Sequence, residues 1–286
     1  TVAYKFKAEQ ALTQIKSIDY QVGRTGAVTP VANLDPVQLS GTVVKRATLN
    51  NADMMAQMDI RVGDFVYVEK GGEIIPKITG VELSKRGKDT KKPDFPTVCP
   101  DCGTTLVKEE DEAKWFCPNI EGCPTQIKGR LLHFLSRKAM NVIAGDATMD
   151  QLYNLGLVRT PADFYDLKKS DLLQLEGWKE RSAQRFLDSL KNSLKVSFDH
   201  VLFALGIRYV GESTAQHFGN IDNIEKADVT QLLEVQDVGE VIAESVYNFF
   251  QDEKHRLEIQ RLKADGLKMS MEAPAQNLSA ALTGKT

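Results

Sequence analysis

Four cysteines have the residue type and spacing that most directly specify chemistry in this sequence. They are the only cysteines among its 286 residues: Cys99, Cys102, Cys117 and Cys123. A C-x2-C pair lets two sulfurs of one tight turn point at a single ion, and Gly103 supplies permissive backbone just after it. Four thiolates fill the coordination sphere of a tetrahedral metal and leave no position for a reactive water. The spacing therefore predicts a structural zinc ion, Zn²⁺, that holds the fold and does no chemistry.

The alternative interpretation of these cysteines is a pair of disulfide bonds. In a reducing cytoplasm, where we expect this protein, thiols stay free. Inert buried thiols would be scattered along the chain, whereas these four gather in one hydrophilic stretch between positions 99 and 123. Zinc is therefore favoured over disulfides.

A second candidate for chemistry is the tetrapeptide "KADG" at 263–266. It matches the K-x-D-G pattern in which nucleotidyltransferases place a lysine that attacks the α-phosphate of a nucleotide. Its surroundings, "HRLEIQRLKADGLKMS", predict an amphipathic helix with Gly266 as its C-terminal cap and three inward-facing residues, Leu257, Ile259 and Leu262. A solvated helix end explains the charged residues completely, so we interpret the match as coincidence.

Three segments repeat one pattern: "LEGWKERSA" at 175–183, "IRYVGESTA" at 207–215 and "VQDVGEVIA" at 235–243. Each has a hydrophobic start, a turn with glycine and a later alanine, and each runs into a helix. In a helix–hairpin–helix unit such a turn lets backbone amides bind a phosphate with no base readout. Ordinary helical hairpins are the alternative, but three copies favour phosphate binding. The hairpins centre on Gly177, Gly211 and Gly239.

Each repeat keeps only one of the two glycines that such a hairpin uses. Lys179, Tyr209 and Asp237 stand where the other glycine is expected. Because a carboxylate repels phosphate, we expect the third hairpin to bind most weakly. A degenerate earlier copy lies at 140–152.

The remaining sequence predicts the elements that position these groups. Residues 14–84 alternate apolar and polar positions between glycine and proline breakers, which is typical of short strands in a small β-barrel such as the OB-fold. A polar connector follows, then the cysteines, and from Gln126 onward the spacing is helical. The fold class we predict is multidomain: a β-barrel OB-fold, a small four-cysteine zinc finger and an all-α helix–hairpin–helix domain.

Composition limits the function classes. The net charge is −3, so no global positive field recruits nucleic acid, and such binding would use local basic patches or backbone amides. The longest apolar run, "VLFALGI", is far shorter than the roughly 20 residues of a bilayer span, and no secretory signal begins the chain. We expect a soluble, cytoplasmic protein with no membrane partner. Because the first residue is Thr1 and not Met, we expect the chain to be a piece of a longer one.

Taken in order, these features resemble the C-terminal portion of bacterial NAD-dependent DNA ligases over nearly the whole chain. "AYKF" at 3–6 is similar to the end of the nucleotidyltransferase domain, and "QVGRTGAVTPVA" at 21–32 and "GGEIIPK" at 71–77 are similar to the OB-fold. The cysteine spacing matches the zinc finger. "HFLSRKAM" at 133–140 resembles the start of the helix–hairpin–helix domain, and "LTGKT" at 282–286 the first residues of the BRCT domain.

The resemblance implies domain borders and an activity. The borders are 1–13 for the end of the nucleotidyltransferase domain, 14–88 for the OB-fold, 89–127 for the zinc finger, 128–270 for the helix–hairpin–helix domain and 271–286 for the linker to the BRCT domain. Ligases of this family seal nicks in duplex DNA during replication and repair, through enzyme-AMP and DNA-adenylate intermediates, with NAD and Mg²⁺. The partner implied is nicked double-stranded DNA, bound by a monomer. The family's nucleophilic lysine lies upstream of residue 1, so we do not expect this chain to self-adenylylate.

The resemblance also implies roles for single residues. Lys5 would reach the adenylate phosphate. Four residues would press on the minor groove near the nick: Arg24, Thr25, Ile74 and Ile75. The groups that would hold phosphates are Arg130, Arg137 and the amides of the hairpins at Gly177, Gly211 and Gly239. Without the resemblance, Arg24 is equally a solvated hairpin charge.

The sequence departs from the family at two places. The usual "TLHN" is "TLNN", with Asn50 at the histidine position, and we assign it no role. The first hairpin, "IAGDA", lacks the glycine pair and is a residue short.

A stand-alone helix–hairpin–helix module that binds nicks or junctions is the main alternative function. The resemblance of both ends to ligase domain borders argues against it. A zinc hydrolase does not fit, because no open set of histidine and carboxylate ligands is visible.

Overall fold

The computed structural model describes residues 9–71, 75–108 and 112–271. The chain forms two compact units, Thr1–Gly129 and Arg130–Thr286. Among the residues described, no helix combines the length and apolarity that a bilayer crossing requires.

Some of the predictions fall outside the described residues. They concern Lys5, Ile74, the segments 3–6 and 282–286 that resemble neighbouring ligase domains, and nearly all of the linker.

The first unit contains a closed five-stranded barrel with the strand order β1-β2-β3-β5-β4. Neighbouring strands are antiparallel, except that β3 and β5 pair in parallel through Thr48 and Lys77. A short helix, α1, lies between β3 and β4. This architecture confirms the predicted OB-fold. The elements are β1 Gln10–Val22, β2 Val28–Leu39, β3 Thr42–Thr48, α1 Ala52–Gln57, β4 Phe65–Gly71 and β5 Ile75–Val81.

Alternation of side chains explains why these segments form a barrel. Along β2, every second residue from Val28 to Leu34 is buried, and the residues between them are more exposed. Register shifts between Ile15 and Ser17 and between Asn33 and Val37 bend the two longest strands. Such bulges increase local twist and let a small sheet close on itself. The barrel core contains Ile15, Leu39, Leu49, Ile60 and Ile78.

The basic connector after the barrel is more ordered than its sequence indicates. It begins with a 3-10 turn at Leu83–Lys85, and Arg86 then inserts its guanidinium beside a fully buried carboxylate, Asp64. Arg86 Nε lies 2.9 Å from Asp64 Oδ1, and Nη2 lies 2.8 Å from Oδ2. Arg86 Nη1 also donates to Asp59 Oδ2 at 2.6 Å. This bidentate ion pair fastens the connector to the loop before β4.

The described part of the second unit is built of helices and turns with one isolated β-bridge, between Asn220 and Ser270, which confirms the all-α prediction. Its aromatic core includes Phe134 stacked on Phe164, and Phe198 and Phe250 are fully buried in a second cluster. The helices that follow α1 are α2 Pro124–Leu135, α3 Asp146–Asn154, α4 Asp163–Asp166, α5 Lys169–Leu172, α6 Glu180–Ser193, α7 Phe198–Ala204, α8 Glu212–Ala215, α9 Ile221–Lys226, α10 Val229–Leu233, α11 Glu240–Gln251 and α12 Glu253–Ala264.

Candidate nucleic-acid interface

The four cysteine sulfurs lie within 4.8 Å of one another, and none is in a disulfide. Cys102 Sγ and Cys117 Sγ are 3.5 Å apart, close to the roughly 3.8 Å edge of a tetrahedron with Zn–S bonds of about 2.3 Å. The C-x2-C turn is closed by a hydrogen bond of 2.9 Å from Gly103 N to Cys99 O. An all-sulfur donor set of this size fits one tetrahedral zinc ion and not two disulfides.

Neighbouring groups tune the thiols of this cluster. The hydroxyl of Thr104, 3.3 Å from Cys102 Sγ, lowers the pKa of the Cys102 thiol. Burial raises the pKa of Cys117 and of Cys123. The side-chain amide of Asn119 donates to Cys102 Sγ at 3.7 Å. Because zinc binds thiolates, metal binding here must release the protons that burial retains.

The finger is hydrogen-bonded to the turn between β1 and β2. Cys117 N donates to Gly26 O at 2.9 Å, and Val28 N donates to Trp115 O at 2.8 Å. The contact leaves no room for a side chain, because a Cβ added at Gly26 would lie 2.5 Å from Cys117 O. Cys117, one of the four clustered cysteines, thus lies in the segment 115–117 that fixes this turn.

Arg24 and Thr25 both lie on that turn and are exposed. The turn is closed by two hydrogen bonds of 2.9 Å, from Gly23 N to Ala27 O and from Gly26 N to Gly23 O. Partial burial lowers the pKa of Arg24, yet a guanidinium stays charged at neutral pH. The structure therefore presents a fixed cation at the tip of a β-hairpin.

The other predicted contact residues lie elsewhere. Ile75 is the first residue of β5 and is 66% exposed. Arg130 is half-buried on α2, and Arg137 is exposed just beyond the end of that helix. The structure brings Arg24 and Thr25 together on one turn, whereas Ile75 begins β5 and the other two arginines lie on α2 and just after it.

The three hairpins share one backbone geometry. A backbone amide closes each turn onto the carbonyl three residues earlier, at 3.1 Å for Trp178–Leu175, 3.1 Å for Val210–Ile207 and 3.2 Å for Val238–Val235. The next-to-last turn residue is left-handed, with φ of 77° at Gly177, 66° at Tyr209 and 61° at Asp237. Two residues later stands the N-cap of the following helix: Lys179, Gly211 and Gly239. The sequence repeat is therefore a structural repeat, in the predicted register.

The alanine of each repeat packs the hairpin against the core. Its amide donates to the N-cap carbonyl at 3.0, 3.0 and 2.9 Å for Ala183, Ala215 and Ala243, and all three are fully buried. In the first, degenerate copy, Met149 takes this place and donates to Gly145 O at 3.1 Å. Two residues before that N-cap, however, Ile143 is not left-handed and is 87% exposed. The first hairpin therefore keeps the buried residue, Met149, and lacks the left-handed turn of the other three.

The helices after the hairpins differ in what they offer a phosphate. The first amides of a helix have no intrahelical partner and can bind an anion. Because α6 and α11 have 14 and 12 residues, a helix dipole also favours an anion at their N-termini. α8 has only four residues. Each of the three begins with a glutamate, which stabilises the helix and repels an anion: Glu180, Glu212 and Glu240. Asp237 adds another carboxylate, 3.1 Å from His217 Nε2.

Lys263 lies at the end of α12, as predicted. Its Nζ contacts the two carboxylate oxygens of Asp222 at 3.2 and 3.3 Å. Gly266 N donates to Lys263 O at 3.1 Å, and Leu267 N donates to Leu262 O at 3.2 Å, which is the hydrogen-bonding of a glycine C-cap. The tetrapeptide is a helix terminus whose lysine is ion-paired.

One part of the prediction for α12 is wrong. Ile259 and Leu262 are buried, but Leu257 is 52% exposed. At 3.6 residues per turn, Leu257 lies about 160° around the helix from Ile259 and about 140° from Leu262. It therefore belongs to the opposite face.

Sequence reasoning missed Gly129 on α2, which contacts the turn that carries Arg24. A Cβ added at Gly129 would lie 2.7 Å from Arg24 Cβ. The available signal was a glycine inside an otherwise helical pattern, which usually marks a close packing contact.

Models of known protein families match three parts of the chain. The NAD-dependent DNA ligase OB-fold domain matches residues 12–90, and the NAD-dependent DNA ligase C4 zinc finger domain matches 98–124. The helix–hairpin–helix motif matches 200–259, which includes the second and third hairpins.

Whole-chain relatives agree with these matches. The chain is 52% identical to a DNA ligase of Parabacteroides distasonis over 100% of its own length and 44% of the relative's. It is 50% identical to a DNA ligase of Bacteroides fragilis over 97% and 42%, and 49% identical to one of Flavobacterium johnsoniae over 100% and 44%. The chain thus spans less than half the length of these curated relatives. With two ligase-specific domain models matched in order, a four-cysteine cluster and the barrel in place, the chain belongs to the NAD-dependent DNA ligase family.

Proposed function

We propose that this chain is the DNA-clamping portion of an NAD-dependent DNA ligase that seals nicks in duplex DNA in the bacterial cytoplasm. The whole enzyme would use NAD and Mg²⁺ and act as a monomer in replication and repair. The domain borders proposed are 14–88, 89–127 and 128–270. The observation that carries this proposal is the exposed Arg24–Thr25 turn. This turn is held in place by hydrogen bonds to the segment that contains Cys117, one of the four clustered cysteines.

This turn suits a duplex because its backbone is fixed before DNA arrives. A cation on a preorganised hairpin loses little conformational freedom on binding, so more of its interaction energy contributes to affinity. Arg24 and Thr25 would contact the minor groove near the nick, with Ile74 and Ile75 as apolar partners. Lys5 would contact the adenylate phosphate.

The hairpins would hold phosphates through backbone amides, which suits a chain whose net charge is −3. The first amides of α6, at the Gly177 hairpin, would be the main contact, and Asp237 would make the Gly239 hairpin the weakest although its helix α11 is long. Gly211 precedes the short α8 and would contribute less. Arg130 and Arg137 would add charge, so binding should weaken as salt rises.

The test of this function is restoration of sealing. The chain is added to the separate nucleotidyltransferase domain of a relative, with nicked duplex, NAD and Mg²⁺. Sealing that requires both parts supports the proposal. If the chain binds nicked duplex but sealing never returns, it is the stand-alone binding module instead.

We expect no covalent AMP on this chain after incubation with NAD and Mg²⁺. Lys263 is ion-paired to Asp222 and stands at the end of a helix, not between the strands that wall a nucleotide pocket. Intact mass spectrometry of the native chain and of Lys263→Ala checks this, with a full-length ligase as the positive control. An AMP adduct that disappears in Lys263→Ala would make "KADG" the active site.

Replacing Asp237 with asparagine is expected to raise the affinity for nicked duplex at low salt. Asparagine keeps the shape and tolerates the left-handed backbone, but it removes a negative charge beside the phosphate-facing amides. A surface charge near a helix N-terminus is worth about 0.3–1 kcal/mol, or roughly two- to fivefold in affinity. Fluorescence anisotropy measures the change, with the exposed Asp188→Asn on α6 as the control. Equal affinities for both variants would show that the third hairpin does not face a phosphate.

A further inference from the structure

Gly129, near the middle of α2, touches the root of Arg24. A Cβ at this position would lie 2.7 Å from Arg24 Cβ and 3.1 Å from Arg24 Cα. Real Cβ atoms essentially never approach another heavy atom more closely than 3.0 Å. The blocked atoms are not the flexible end of a side chain, so an added methyl must move the turn or the helix. Glycine inside a helix costs about 1 kcal/mol relative to alanine, and this close approach explains why glycine occupies the site.

The turn cannot yield on its other side. Gly26 O accepts from Cys117 N at 2.9 Å, and a Cβ at Gly26 would lie 2.5 Å from Cys117 O. Cys117 O is in turn held by Gln126, a buried residue of α2 whose Nε2 donates to it at 3.1 Å. The turn is therefore held between the segment 115–117 and α2.

The four-cysteine cluster connects the two segments that hold the turn, which are 115–117 and α2. Cys117 belongs to the segment 115–117, and Cys123 directly precedes α2, whose Ile127 N donates to Cys123 O at 3.0 Å. A zinc ion bound to both cysteines would keep these two segments at a constant separation. Gly129 then sets how deeply the turn sits between them.

We propose that Gly129 is a positioning residue for DNA binding, which acts by letting the Arg24 turn seat against α2. The proposal rests on the proposed DNA contact of Arg24. With the root of Arg24 fixed, only the outer part of its side chain must be ordered when DNA binds. A displaced turn would carry the guanidinium away from the groove while leaving barrel and finger folded.

The experiment is a double-mutant cycle on the zinc-loaded chain. Nicked duplex with a fluorescent label is titrated by anisotropy at several salt concentrations with the native chain, Arg24→Ala, Gly129→Ala and the double variant. Gly87→Ala is the matched control, because its Cβ meets no atom within 4 Å. Zinc content and thermal unfolding are measured for every variant.

We expect Arg24→Ala to weaken binding about tenfold and to lower the slope of log affinity against log salt by about 1, because one cation leaves the DNA. Gly129→Ala should reproduce most of both changes, and the double variant should bind no more weakly than Arg24→Ala. Zinc content should stay equal to that of Gly87→Ala.

The outcomes separate two failures. If Arg24→Ala changes neither affinity nor slope, the proposed contact of Arg24 fails, and the inference about Gly129 fails with it. If Arg24→Ala has its effect while Gly129→Ala binds like Gly87→Ala, only the inference is overturned. A weaker affinity of Gly129→Ala with an unchanged slope, or with lost zinc, also overturns it, because the effect is then one of folding.

Discussion

Removing the metal from the four-cysteine cluster is expected to weaken nicked-DNA binding by about 100-fold, equivalent to about 2.7 kcal/mol. The finger has little apolar core of its own: the buried cluster around it consists of three cysteines with Val22, Val28 and Leu106. Structural zinc contributes about 10–16 kcal/mol to small finger peptides, so the finger should unfold without it. The segment 115–117, which fixes the Arg24 turn through its hydrogen bonds, would then lose its structure.

Two variants and one control measure this effect. Cys117→Ala removes the thiol of the residue whose amide bonds to Gly26, and Cys123→Ala removes the thiol that precedes α2. Asp101→Ala changes an exposed residue between two ligands and should bind zinc and DNA as the native chain does. Zinc content, circular dichroism and DNA affinity are compared, and zinc is added back after chelation. Native affinity in a metal-free chain would show that the finger does not position the turn.

Features with a local cause could be predicted from the sequence. The metal cluster depends on the spacing of Cys99, Cys102, Cys117 and Cys123, and the structure brings all four together. The barrel follows from alternation along each strand. The hairpins follow from a repeated turn, even though the left-handed residue of that turn is not glycine in two of the three copies. Local pattern carried this information because each turn is closed within a few residues.

Features that depend on distant contacts could not be predicted in the same way. Nothing near Gly129 in the sequence shows that Arg24, more than 100 positions earlier, lies against it. Arg86 lies in a connector with no periodicity, so the sequence does not indicate its ion pair with the buried Asp64 of the first unit. The DNA contacts of Arg130 and Arg137 stay predictions, because exposure and charge alone do not distinguish a binding residue from a solvated one.

Replacing Arg86 with alanine is expected to destabilise the first unit by about 3–5 kcal/mol, because it leaves the buried Asp64 carboxylate without its cation. The side chain of Asp64 is 0% exposed and that of Arg86 is 16% exposed, so the pair is largely shielded from water. Of the hydrogen bonds described to Asp64 Oδ2, the one from the backbone amide of Arg61, at 2.8 Å, would remain. An uncompensated charge at that depth is among the largest single-residue penalties that a small barrel can carry.

Urea unfolding of Arg86→Ala tests this expectation against Arg46→Ala. Arg46 pairs with Asp19 at 3.5 Å with both side chains about half exposed, and such a surface pair contributes about 0–1 kcal/mol. Asp64→Asn added to Arg86→Ala should recover part of the stability, since a neutral amide is less costly to bury than a carboxylate. Zinc content should not change in any of these variants, because Arg86 does not contact the cysteines. If Arg86→Ala unfolds at the same urea concentration as Arg46→Ala, the buried pair contributes no more than a surface pair, and the connector is held by its other contacts.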